Sequence, residues 1–253
     1  ELSVIQSPNV IKPLDVLYDT QDGVPVGYSL KFVDNATSLC KLFTKVFKLD
    51  NNITPDLIIE LVKKFQLVVK SVHSDGCLVV DLNEMNVLVA DNWIEPYIID
   101  IDSCQTKNFP ANAIMDSIRD RKTKGQWTVY SDWFSWGVLA FQLYINIHPF
   151  KGGHPKYQQN EWQKRMDDGA SVFDKGVKLP GVCNSFSVIP KRHLEWFEAV
   201  FKKGDRTDPP LADSSIPILT PHVTIVSNTD QFLVIKLSSF DSKINFRTNI
   251  FGV

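Results

Sequence analysis

The chain has 253 residues, 43% of them hydrophobic and 22% charged, enough apolar material for one large folded domain or two modest ones. A net charge of −2 offers no broad basic surface for nucleic acid, so no nucleic-acid partner is expected. The four cysteines, Cys40, Cys77, Cys104 and Cys183, lie far apart and lack the short paired spacing of a zinc site, which points to a reduced, intracellular chain, cytoplasmic or carried in a larger particle.

The start, "ELSVIQSPNV", has neither an initiating Met nor a basic segment followed by an apolar one, and it reads as part of a longer polypeptide extending upstream and downstream. In "NVIKPLDVLYDTQDGVPVGYSLKFV" two apolar stretches flank the turn-rich "DTQDG", which predicts a β-hairpin. Asp34 or Asn35 can cap a short helix carrying Leu39, Leu42 and Phe43. A longer helix begins with Thr54 as cap and Pro55 at its first position, with Leu57, Leu61, Phe65 and Val68 along one face as core residues.

Short apolar runs at Leu78 to Val80, Val87 to Val89 and Tyr97 to Ile99 read as small strands or extended pieces under a cleft. "SDWFSWGVLAFQLY" supplies Ser131 as cap and a helix apolar nearly all round, hence buried on all sides. Its most apolar part, Trp133 to Ile147, is too short to cross a bilayer and carries Ser135, Gln142 and Asn146, so no membrane partner is expected. Two further helices are predicted at Lys156 to Asp168 and Lys191 to Lys203, the second stopped by Gly204. After Pro209 and Pro210 the sequence turns rich in β-branched and aromatic residues, which places a boundary near 212 and a β-rich segment over 213–253, the start of another domain.

The stretch "VVDLNEMNVLV" sets Asp81 five residues before Asn86, and "IIDIDSCQ" sets Asp100 and Asp102 at the end of an apolar run. With the hairpin, the long helix, "TVYSDWFSWGVLAFQL" and "HPFKG", these motifs resemble a eukaryotic-type protein kinase over about residues 8 to 210. "KPLDVLYDTQDGVPVGY", "VVDLNEMNVLV", "IIDIDSCQ" and "SDWFSW" are most similar to the divergent bacterial and phage kinase-like family with "GDLN..N" and "DVDS" motifs. The resemblance implies an α+β, protein kinase-like fold over 1–212, mostly the helical C-lobe with a β-hairpin of the N-lobe.

Phosphoryl transfer is mainly positioning plus charge neutralisation, with a carboxylate for the acceptor hydroxyl and an amide and a carboxylate for Mg²⁺. The resemblance makes Asp81 the catalytic base, and makes Asn86 and Asp100 the residues that hold Mg²⁺ and, through it, ATP. Hard oxygen donors suit that metal. Asp102 is the alternative to Asp100, because the family's glycine is absent from "DID" and side chains two apart on a strand point the same way. Asn83 stands where many kinases carry a phosphate-touching lysine, so one charge contact is missing. Val79 and Val80 replace the usual His and Arg before the catalytic Asp. Control by loop phosphorylation at Thr123 or Thr128 is therefore not expected.

The resemblance gives Asp132 a structural role, accepting backbone hydrogen bonds from the catalytic loop, and pairs Asp120 with Arg206 at the end of the activation segment. Two unrelated surface charges are the plain alternative for that pair. His73, at the end of the long helix, reads as a solvated or structural histidine, and Arg119, Arg121, Lys122 and Lys124 as a solvated charge run or a substrate-facing one. No glycine-rich phosphate loop and no lysine of the "VAIK" type precede the hairpin. Three functions follow: a Ser/Thr-type protein kinase module acting on a protein substrate, a pseudokinase-like scaffold binding a protein partner, and a small-molecule phosphotransferase of similar fold.

Overall fold

A computed structural model describes residues 2–111 and 114–211, together with the backbone of two strands beyond them. The chain divides into two units, Glu1–Asp213 and Ser214–Val253. In the second unit, β6 (Thr224–Asn228) pairs antiparallel with β7 (Leu233–Lys236). The rest of the β-rich segment expected over 213–253, and the boundary near 212, lie outside the described residues.

The first unit opens with the hairpin of β1 (Pro13–Tyr18) and β2 (Pro25–Leu30), whose register runs from Pro13 opposite Leu30 to Tyr18 opposite Pro25. Its turn is closed by Asp19 N–H to Val24 O at 2.8 Å, and the Asp19 carboxylate accepts from Gln21 N at 2.7 Å. Asp and Gly in "DTQDG" do here what turn residues do elsewhere, bonding nearby backbone and supplying a positive φ of 71° at Gly23. The sheet that floors the cleft is separate: β3 (Thr37–Ser38), β4 (Val87–Ala90) and β5 (Glu95–Ile98), in that order and antiparallel.

The core is helical. In α2 (Pro55–Ser74), Thr54 accepts from Leu57 N at 3.3 Å, and Ile58, Leu61, Phe65, Val69 and Val72 are buried. α2 packs on α3 (Val129–Ile145), which is buried on all sides. Gly137 of α3 is needed there, because a Cβ would come within 2.9 Å of the Trp196 ring of α5 (Lys191–Glu198). Phe141, Phe197 and Phe201 complete an aromatic core, with Phe197 and Phe201 stacked at 5.7 Å.

Several boundaries differ from those the sequence predicts. The cap of α3 is Thr128, not Ser131: Thr128 Oγ1 accepts from Ser131 N at 3.3 Å while Ser131 Oγ accepts from Thr128 N at 2.9 Å, so the two hydroxyls form a reciprocal box. The short helix after the hairpin is a 3₁₀ turn at Leu39–Phe43 entered through Ser38, and α1 (Lys45–Asp50) follows it, capped by Thr44 rather than by Asp34 or Asn35. Only Trp162–Asp168 of the helix expected from Lys156 is helical (α4), because Glu161 Oε2 takes Gln158 N–H at 2.7 Å and holds the preceding residues in a turn. α5 continues as a π-helical turn, Ala199–Lys203, ended by Gly204 at φ 82°. Leu78 makes a single bridge to Gln105 and no strand. Among the described residues no helix is long and apolar enough to cross a membrane.

Candidate active site

Between the C-terminal end of α2 and β4, residues 79–86 form a loop folded on one buried carboxylate. Asp132, in the first turn of α3, has no exposed surface. Its Oδ2 accepts from Val79 N at 2.7 Å and from His73 Nε2 at 2.9 Å, and its Oδ1 accepts from Val80 N at 3.0 Å. An ionised carboxylate only accepts, so Nε2 of His73 carries the hydrogen. His73 is thus a partner of Asp132 and packs edge-on against Trp133 at 4.9 Å. Val80 sits at φ 62°, a left-handed conformation that is an outlier for a β-branched residue, and the bond from its N–H to Asp132 helps hold it there.

The turn at Val80 presents Asp81. One oxygen of Asp81 takes Met115 N–H at 2.7 Å, from the segment before α3, and the other takes Asn83 Nδ2–H at 3.0 Å. Asn83 is 2% exposed, and its own oxygen accepts from Met85 N at 2.8 Å and Asn86 N at 3.1 Å. Asn86 Nδ2 donates to the Asp81 carbonyl at 3.1 Å and leans on its carboxylate at 3.4 Å. That leaves Asn86 Oδ1 accepting no hydrogen bond among the described residues. The backbone carbonyl of Asn86 takes Ile99 N–H at 2.9 Å, which docks the end of β5 against this loop.

Asp100 follows at once, at φ 56° and ψ 54°, immediately before the 3₁₀ turn Ile101–Ser103, to which its side chain makes no capping bond. Burial, then the charge of Asp102 and a hydrogen bond with it, then the charge of Asp81 push the Asp100 carboxyl above its ordinary range. The negative charges of Asp102 and Asp81 thus act against that of Asp100. Asp100 and Asp102 both line the cleft, which does not separate the two by orientation, while Asp81 and Asn86 adjoin Asp100 through the Ile99–Asn86 bond and the charge of Asp81 without belonging to the cleft lining. No group of three or more His, Cys, Asp or Glu is arranged to hold a metal by itself among the described residues. Mg²⁺ sites of one or two carboxylates completed by phosphate and water do not require such a group.

The cleft has a volume of about 820 Å³ and is mostly apolar, with Ile11, Leu30, Phe32 and Leu88 on its walls and Lys31 at its rim. The sequence does not single these residues out. The signal for them is positional only: Leu88 lies two residues after Asn86, and Leu30 to Phe32 close the hairpin.

Away from the cleft, Asp120 and Arg206 form a two-pronged ion pair, Nε to Oδ2 and Nη2 to Oδ1 both at 2.6 Å, with the Asp120 side chain fully buried and the guanidinium 4.8 Å from the Phe134 ring centre. The basic run is largely engaged within the chain. Arg121 pairs with Asp116 at 3.4 Å, Lys122 Nζ donates to Gly204 O at 3.3 Å and Arg119 lies 6.0 Å from the Trp127 ring centre, while Lys124 is exposed.

Small antiparallel sheets joined to a helical body around α2 and α3, with a cleft at the end of β5, make this a kinase-like fold. Among solved structures the chain is similar to the kinase PK-1 of Cydia pomonella granulovirus, with a TM-score of 0.55 and 14% identity, over 81% of this chain and 73% of that one. No family model and no curated protein matches the sequence.

Proposed function

We propose that the chain is a module of an ATP- and Mg²⁺-dependent protein kinase, of the divergent bacterial and phage type, that transfers the γ-phosphate to a Ser or Thr hydroxyl of a protein substrate. The observation that carries this reading is the nearness of Asp81 and Asn86 to Asp100 of the cleft wall: the Asn86–Asp81 and Ile99–Asn86 hydrogen bonds join the two segments, and the charge of Asp81 acts on Asp100.

The donor set fits Mg²⁺, because the oxygens are hard and the negative charge that Asp102 and Asp81 set against Asp100 is what a divalent cation offsets. Bound there, the ion would offset the charge of the nucleotide's phosphates. Asn86 Oδ1 and the Asp100 carboxylate would hold it, with Asp102 as the alternative ligand. Asp81 orients the acceptor hydroxyl and takes its proton, and the apolar walls at Ile11, Leu30 and Leu88 suit a flat nucleobase beside Asp100.

A second reading, a pseudokinase-like scaffold, is favoured by one feature: both oxygens of Asp81 already accept bonds from within the chain. Titration calorimetry with a non-hydrolysable ATP analogue, on the protein at its full natural length, separates the two. The kinase reading expects Mg²⁺-dependent binding that Asp100→Ala weakens more than Asp102→Ala. A larger loss at Asp102 moves the ligand by two residues, and no Mg²⁺-dependent binding favours the scaffold.

A further inference from the structure

Asn83 occupies a position where a lysine would touch the phosphates in the kinases this chain resembles, and its surroundings are those of a different device. The side chain is 2% exposed and every bond it makes lies within the loop. Its acceptor half takes the N–H groups of Met85 and Asn86, which curls the loop and sets the backbone at Asn86. Its donor half holds one oxygen of Asp81 at 3.0 Å. No charge is placed on a phosphate by this residue; two groups are aimed by it instead.

We infer that Asn83 is a positioning residue of the proposed phosphotransfer site, fixing the rotamer of Asp81 through Nδ2 and the presentation of Asn86 through Oδ1. The inference rests on the kinase reading for its kinetic consequence, but not for its geometry. Asn83 and Asp are isosteric, so Asn83→Asp keeps the acceptor for both loop amides and replaces the donor by an oxygen facing Asp81. Asn83→Lys restores the common charge and removes both loop acceptors.

If Asn83 only braces the loop, Asn83→Asp keeps wild-type kcat whatever its stability. If it aims the catalytic carboxylate, kcat falls by about 10²-fold, the scale of a misplaced reacting group, while KM for ATP stays near wild type. The midpoint of thermal unfolding falls in either case, because two acceptors then face each other at a buried site. Asn83→Lys does not exceed wild-type kcat. A spectroscopic readout does not depend on turnover: in the full-length protein, the Asn83 side-chain amide resonance moves in Asp81→Ala, where the acceptor of its Nδ2–H is gone, and stays in place in Asp102→Ala. Wild-type kcat in Asn83→Asp, or an Asn83 amide unmoved in Asp81→Ala, overturns the inference. Wild-type protein that transfers no phosphate contradicts the kinase reading instead, and the amide comparison still decides the role of Asn83.

Discussion

Asp132 accepts three hydrogen bonds from residues more than fifty positions earlier in the chain, and it has no exposed surface of its own where water could replace them. Turning one of its oxygens into an NH₂ group sets donor against donor. Asp132→Asn is expected to lower stability by about 1–3 kcal/mol, the cost of leaving a buried donor unpaired. The left-handed Val80 loosens with it. Urea unfolding measures this, and an unchanged midpoint would contradict the account of the loop. His148 makes a second case at this scale. It is 3% exposed, donates from Nε2 to Ser117 O at 2.8 Å and accepts Phe150 N–H at Nδ1 at 3.2 Å, which requires the neutral ring. Burial, chiefly, with the charges of Lys151 and Arg165, lowers its pKa from 6.5 to about 4, against a smaller opposing effect of the Ser117 bond. Between these values the unfolded chain binds the extra proton and the folded one does not, so stability rises with pH across the window. As pH falls from about 6.5 to about 4 the fold loses up to about 3 kcal/mol from this group, with no further loss below. The difference in unfolding free energy between wild type and His148→Gln should show that slope, and a flat difference would refute it.

The segment leading into α3 is anchored at the element scale by the Asp120–Arg206 pair, which links it to the chain beyond the π-helical turn. Because the Asp120 side chain is fully buried, removing the arginine strands a charge. Arg206→Met is expected to cost about 3–5 kcal/mol, and Arg206→Met combined with Asp120→Leu to recover much of it, since breaking a buried pair costs more than replacing it. Equal unfolding midpoints for the two variants would count against this. The pair also marks what is legible in the sequence. Two charges 86 positions apart carry no local sign of contact, and only the likeness to kinases suggests joining them. α2 is readable to its cap because Thr54, Pro55 and the apolar stripe agree. The cap of α3 lies three residues before the one the sequence suggests, because Ser131 is also a good cap; the choice rests on Thr128 being extended, at φ −144° and ψ 167°, which side-chain chemistry alone does not reveal. Asn83 reads in the sequence as a missing lysine, since its value lies in three bonds that exist only once the loop is closed.

At the scale of the whole molecule, the helical body and the cleft are consistent with one another. The same α3 that fills the core with Trp136, Phe141 and Tyr144 carries Asp132, and so holds Val79 and Val80, the residues that lead into Asp81. The hairpin of β1 and β2 is exposed along both strands, with Leu14, Val16, Val26 and Tyr28 each at least half exposed. The order of motifs is enough to foresee a kinase-like arrangement, and the apolar cleft wall is not foreseeable, because Leu88, Ile11 and Leu30 are indistinguishable from core residues until the chain is folded. The central claim is that Asp81 serves as the base of phosphoryl transfer. It is tested most directly by incubating the protein at its full natural length with γ-labelled ATP, Mg²⁺ and a generic protein substrate, beside its Asp81→Asn variant. The account predicts label on Ser or Thr of the substrate, reduced by about 10² to 10⁴ in the variant, the range for loss of a general base. Equal transfer by the two proteins, or none by the wild type under conditions where it binds the nucleotide with Mg²⁺, would contradict it.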